Sequence, residues 1–166
     1  MPRNKNMSLL AKVLYGTGFL VGILAFVFLV LKMAVGYPIR NITESLPYKV
    51  FWISYSKSNL KIDDMVIFNK TIQGNKASET VIKIIKGVGG DRIDVIKGKV
   101  FVNRRCLGKI FPRQGNGNKL TPIDSMIIPQ GMYFVWTPHP ESFDSRYKEM
   151  NLIPEDFIEG RAYVVY

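Results

Sequence analysis

Three short segments hold residues able to do acyl-transfer chemistry. They are Asn41-Ile42-Thr43-Glu44-Ser45-Leu46-Pro47, Lys83-Ile84-Ile85-Lys86-Gly87-Val88-Gly89-Gly90-Asp91 and Ser142-Phe143-Asp144-Ser145-Arg146-Tyr147. A serine hydroxyl is a weak nucleophile and needs a base beside it. The chain has a single histidine, His139, flanked by Pro138 and Pro140, so a Ser/His pair stands or falls on that residue. A lysine can take its place when its amine is brought down from about 10.4 toward neutrality. Burial does this, because it disfavours the charged ammonium. Alternate side chains of a strand share a face. Val81, Lys83 and Ile85 would then lie together, with Lys86 on the opposite face. Lys83, between two β-branched apolar residues, is the better base. Each segment alone also has a structural explanation: a turn before a proline, a lysine on a strand edge, a surface ion pair.

Short apolar runs rich in β-branched and aromatic residues recur between turn signals and predict the strands that position these segments. They are Val50–Ile53, Met65–Phe68, Thr80–Ile85, Arg92–Ile96, Lys99–Val102, Met132–Trp136 and Arg161–Tyr166. Lys97-Gly98 predicts a tight hairpin between two of them. Gly115–Asn118 predicts a loop, and Pro154–Phe157 a single helical turn. The expectation is a mainly β domain, a curled antiparallel sheet or partial barrel. No internal repeat or low-complexity segment interrupts it.

From Val13 to Leu31 the chain carries no charge over 19 residues. At about 1.5 Å per residue in a helix, that run matches a bilayer core of about 30 Å. It exceeds the usual apolar core of a cleaved signal sequence, which favours a retained anchor. Arg3, Lys5 and Lys12 precede it with no acidic residue, which places the N-terminus in the cytoplasm. The expected organisation is a basic cytoplasmic N-terminus over 1–12, a transmembrane anchor over 13–36 and an extracytoplasmic domain over 37–166. Ser45 lies nine residues after Gly36, a reach of at most about 30–32 Å, so it must work near the bilayer surface.

The net charge is +10, and the part after residue 36 holds nineteen Lys/Arg against thirteen Asp/Glu, a net of +6. A basic domain beside an anchor suits an anionic lipid surface. The basic residues are scattered and no base-reading motif accompanies them, so no nucleic-acid partner is expected. The lone cysteine, Cys106, cannot form an intrachain disulfide and is expected to be a small buried hydrophobe. No cofactor or metal is expected.

The order of the three segments behind an anchor resembles the signal peptidase I family of Ser/Lys proteases. That family carries a Ser-X-Pro box just beyond its anchor. A strand lysine follows, eight positions before the Asp of a Gly-rich turn, and then a Ser-X-Asp-Ser-Arg box. Here Lys83 precedes Asp91 by eight, and Ser142 to Arg146 matches the third box. The Asn-X-Thr-X-Ser-X-Pro opening and the string from His139 to Tyr147 look most like the conjugal-transfer, TraF-type branch, which is understood to process a pilin precursor. The resemblance implies a bacterial inner-membrane enzyme with its catalytic domain in the periplasm, acting on an exported precursor or pilin. It implies Ser45 as nucleophile and Lys83 as base, with Ser142 orienting the amine. It also implies an oxyanion hole from the Thr43 hydroxyl and the Ser45 backbone N–H, and Asp91, Asp144 and Arg146 as structural support. Glu44 reads as solvated. Two departures stand out: Gly89 replaces a proline in the Gly-rich turn, and Tyr147-Lys148-Glu149 replaces a Tyr-aromatic-Gly sequence that a left-handed backbone would favour.

Two other classes of function fit parts of the pattern. One is an inactive, membrane-anchored scaffold of a secretion or conjugation apparatus. The other is a basic tethered module that binds DNA or lipid.

Overall fold

The computed structural model describes residues 9–42, 45–71, 78–111 and 119–166. Two compact units divide the chain, Met1–Gly36 and Tyr37–Tyr166. The first contains one helix, α1 (Leu9–Val35). Every residue from Val13 to Leu31 within it is exposed, large side chains such as Phe19 and Phe26 included. The Thr17 hydroxyl bonds back to the carbonyls of Val13 and Leu14, which satisfies it without water. Gly36 ends the helix at φ +92°, a left-handed stop that glycine adopts without strain.

The second unit is antiparallel throughout. A seven-stranded sheet has the order β1 (Tyr37–Arg40), β2 (Val50–Ser54), β11 (Ile158–Val164), β3 (Met65–Thr71), β4 (Ser78–Gly87), β9 (Met132–Trp136) and β10 (Ile153–Pro154). A four-stranded sheet has the order β7 (Arg105–Lys109), β6 (Lys99–Val102), β5 (Arg92–Ile96) and β8 (Met126–Ile127). Neither closes into a barrel. The mainly β expectation holds, and so does the hairpin at Lys97-Gly98, whose two left-handed residues (φ 48° and 71°) join β5 to β6. The helical turn at Glu155–Phe157 is present as one 3-10 turn. Gly115–Asn118 lies outside the described residues.

Burial follows the strand period. On β4, Val81 and Ile85 pack into a core with Phe68, Val135 and Tyr147, while Ile82 and Ile84 pack with Leu46, Phe51, Ile53 and Ile67. Both faces of this strand are therefore covered, which explains its nearly continuous apolar run.

Four strands escaped the sequence pattern. β1 contains Pro38, which an edge strand tolerates because no partner needs its missing N–H. β7 is too polar to read as an apolar run, and β8 and β10 are two residues each. The last strand runs over Ile158–Val164 rather than 161–166. A bulge near Gly160 explains the shift: a Cβ at that position would come within 2.3 Å of the Ser54 carbonyl oxygen. Its inward positions, Gly160 and Ala162, are too small to show as a hydrophobic stripe.

Cys106 corrects an expectation. It is exposed, not buried. On β7 the inward residue is Leu107, so alternation turns Cys106 outward, opposite Phe101 on β6.

Candidate active site

Lys83 sits in the middle of β4, opposite Val66 of β3. Its side chain is 5% exposed. Its Nζ donates to Ser142 Oγ at 2.9 Å. Burial pulls the amine down from 10.5 to about 8, with Asp144 opposing and Arg146 adding to the shift. At pH 7 about one such amine in ten is neutral, against about one in three thousand for an ordinary lysine. Lys86 turns to the other side, donating to Asp63 at 2.5 Å and lying over the Trp136 ring.

Ser142 opens a run of six buried residues, Ser142 to Tyr147, that lies outside every strand and helix and touches them through a Ser145 N–H bond to the Val135 carbonyl, with an isolated bridge from Tyr147 to Pro122. Such a segment persists only if its polar groups find other partners. Arg146 supplies several of them. Its Nε and Nη2 donate to the two Asp144 carboxylate oxygens at 2.8 and 2.9 Å. Nη2 also reaches the Ser142 and His139 carbonyls, and Nη1 the Lys109 carbonyl. Both charged side chains are essentially inaccessible. Burial pushes the Asp144 carboxyl up from its ordinary value, and the Arg146 guanidinium works against that push. Ser145 ties the run to β9: its Oγ accepts from Val135 N and donates to the Asn151 carbonyl.

Ser45 reaches the same neighbourhood from the far end of the sheet. The loop after β1 and the strand β4 line one pocket of about 90 Å³, with Ile39–Ile42, Ser45 and Leu46 on one side and Glu79–Lys83 on the other. Three strands separate β1 from β4 in the hydrogen-bonded order. Laid flat, that spacing is roughly 19 Å, too wide for one small pocket. The sheet must curl, and the core of Leu46, Phe51, Ile53, Ile67 and Ala162 fills the inside of the curl. Ser45 is half-buried in this wall.

Asn41 holds the loop. Its side-chain amide donates to the carbonyls of Leu46 and Tyr48 at 3.2 and 2.9 Å, and its backbone N–H bonds to Lys49. Thr43 and Glu44 lie outside the described residues.

Asp91 organises the Gly-rich turn after β4. Its carboxylate accepts from Val88 N at 2.8 Å and from Asn103 Nδ2 at 2.7 Å. A Cβ on Gly89 would fall within 2.9 Å of Gln130 Cα, so the packing of Gln130 matches a glycine where a proline was expected. The left-handed residue of the other departure is Asn151 (φ 62°), not Glu149. His139 does not line the Ser45 pocket and serves its loop through its carbonyl, which accepts from Ser142 N and Arg146 Nη2.

Sequence reasoning missed Asn41, Ser145 and Thr137. Thr137 is fully buried, and its Oγ1 donates to Ser142 Oγ at 2.5 Å. The available signal was position alone: Thr137 directly follows β9, five residues before Ser142, and Pro138 and Pro140 bend the chain between them. Among the described residues no group of three or more His, Cys, Asp or Glu is placed to hold a metal.

Comparison with known proteins adds three findings. The family profile described as signal peptidase, peptidase S26, matches residues 10–166. A probable signal peptidase I-2 from Synechocystis sp. is 28% identical over 115 residues, covering 68% of this chain and 50% of the relative. The chain thus spans about half the length of that curated relative. A crystal structure of a signal peptidase I from Enterococcus faecalis V583 aligns with 67% of this chain and all of that one, at 21% identity and a TM-score of 0.42.

Proposed function

The chain belongs to the S26 family of signal peptidases, and from that premise we propose that it is a membrane-anchored serine endopeptidase cutting exported precursor proteins. The observation that carries this reading is the buried amine of Lys83, which lines one pocket with Ser45 and bonds to Ser142.

In this reading the neutral Lys83 amine takes the Ser45 Oγ proton as that oxygen attacks the scissile carbonyl. The tetrahedral oxyanion is held by the Ser45 backbone N–H and the Thr43 hydroxyl, each donor worth about 2.7–4 kcal/mol there. The Lys83 ammonium then protonates the departing amine, leaving an ester on Ser45. Water attacks that ester, the amine again takes a proton, and the acid product leaves with Ser45 restored. Partial neutrality of Lys83 near pH 7 serves both halves, because the base must also become an acid. Ile39, Ile42, Leu46 and Ile82 give the pocket apolar walls, and its small volume suits small side chains before the scissile bond. The backbones of residues 39–42 and 79–83 flank it, so a precursor can be read as an added strand.

The exposed apolar run Val13–Leu31 supports a single-pass anchor, and the basic residues before it support a cytoplasmic N-terminus with the catalytic domain in the periplasm. The 1–12, 13–36 and 37–166 organisation is part of the proposal. Processing of a pilin precursor in conjugative transfer is the narrower reading. It is supported by the Asn41 to Pro47 opening and the His139 to Tyr147 string.

The test is co-expression with candidate exported precursors and mass spectrometry of their termini. The intact enzyme should create a new N-terminus, and Ser45→Ala and Lys83→Ala should abolish it while remaining folded. If the intact enzyme creates no new N-terminus, the peptidase reading fails and a scaffold is left; if either variant still creates it, the assignment of Ser45 or Lys83 fails.

A further inference from the structure

We infer that Thr137 is a positioning residue for the Lys83 base, acting through Ser142. The inference rests on reading Ser45 and Lys83 as nucleophile and base. A hydroxyl oxygen has two acceptor sites. On Ser142 both are filled, one by Lys83 Nζ at 2.9 Å and one by the Thr137 hydroxyl at 2.5 Å. The Ser142 backbone is fixed separately, its carbonyl accepting from Arg146 Nη2 and its N–H donating to the His139 carbonyl. What the backbone leaves free is rotation about the Ser142 side chain, and Thr137 removes that freedom.

Thr137 is itself anchored. It is fully buried, and its backbone N–H donates to Asp144 Oδ2 at 3.3 Å. It therefore joins the Asp144–Arg146 pair to the Ser142–Lys83 pair. A buried hydroxyl with no partner is costly, and valine would fill the same space without that cost. The position thus maintains a polar group whose bond points at the residue holding the base.

Two donors on one oxygen share its acceptor capacity. Without the Thr137 hydroxyl, Ser142 Oγ gives all of it to the Lys83 N–H and holds the protonated amine more firmly. Asp144 and Arg146 are the charged groups acting on that amine, and both stay in place. The acidic limb of the rate profile should then move to higher pH.

The experiment uses the full-length, detergent-solubilised enzyme and a precursor cleaved by it. Thr137→Val should lower kcat about tenfold, the scale of one buried hydrogen bond, with KM little changed. Its acidic limb should shift upward, and Thr137→Ser should restore most of the rate and the profile. In a Ser142→Ala background Thr137→Val should add nothing, because its only route to the base is gone. A valine variant with wild-type kcat and profile would overturn the inference, as would independent, multiplying losses in the double variant. Should the valine variant not fold, Thr137→Ala carries the same comparison. Lys83→Ala run alongside separates the two readings. If it still cleaves, the base assignment fails; if it is dead while Thr137→Val matches wild type, only the Thr137 inference fails.

Discussion

The two sides of the candidate site are built in opposite ways. On the base side, Lys83 comes from the middle of a strand covered on both faces, and its partner Ser142 sits in a fully buried run locked by Asp144 and Arg146. On the proposed nucleophile side, Ser45 sits half-buried on a loop that the Asn41 side chain and backbone and the buried Leu46 tie down. The difference fits the proposed chemistry. A lysine works as a base only while water is kept off it, so its surroundings must be rigid and dry. A serine hydroxyl needs no shifted environment, only delivery to the right place, and its wall must admit a substrate chain.

The contrast can be broken from the base side first. Replacing Lys83 by Met should reduce cleavage by about a thousandfold or more, as loss of a general base implies. The same change should stabilise the fold. With the folded amine at about 8 and the unfolded one near 10.5, the unfolded chain holds the proton more tightly between those values, so stability rises with pH across that window. The penalty is full below about pH 8, so Lys83→Met should gain about 1–3 kcal/mol at pH 7 and little by pH 11. Denaturant melts at the two pH values measure it.

Next comes the clamp under the base. Arg146→Met leaves the Asp144 carboxylate buried and unpaired and should cost about 3–5 kcal/mol in the same melts. On the nucleophile side, Asn41→Ala removes two hydrogen bonds and should cost only about 1–2 kcal/mol. Its kcat should fall more than its stability suggests, since the loop still forms but no longer holds Ser45 in place. If Asn41→Ala destabilised as much as Arg146→Met, the two sides would not differ as described. The smallest effect lies outside both. Cys106→Ser should change stability by less than about 0.5 kcal/mol, and native Cys106 should react readily with a thiol reagent.

Legibility in the sequence divides along the same line. Strand alternation around Lys83 gave the right face, because Val81 and Ile85 do pack into a buried core. The third box was visible as a string of residue types, yet its burial was not, since nothing in a polar run predicts that six consecutive residues lie inside. Thr137 was silent because a threonine at a strand end is unremarkable until its partner is seen. Asn41 belonged to the opening box, but its amide bonds depend on the turn of a loop that pattern cannot give. The curl that brings the β1 loop to β4 is a tertiary property; the sequence pattern found the last strand only from Arg161 on, because Gly160 is too small to extend its apolar stripe.

The central claim is that Lys83 is neutral often enough at working pH to accept a proton from Ser45. Carbon-13 labelling of lysine and an NMR titration of the full-length protein in micelles, with Lys83→Met to assign the signal, tests it directly. A titration centred at about 8 is the expected result. A Lys83 signal that titrates at the ordinary lysine value of about 10.4 would contradict it.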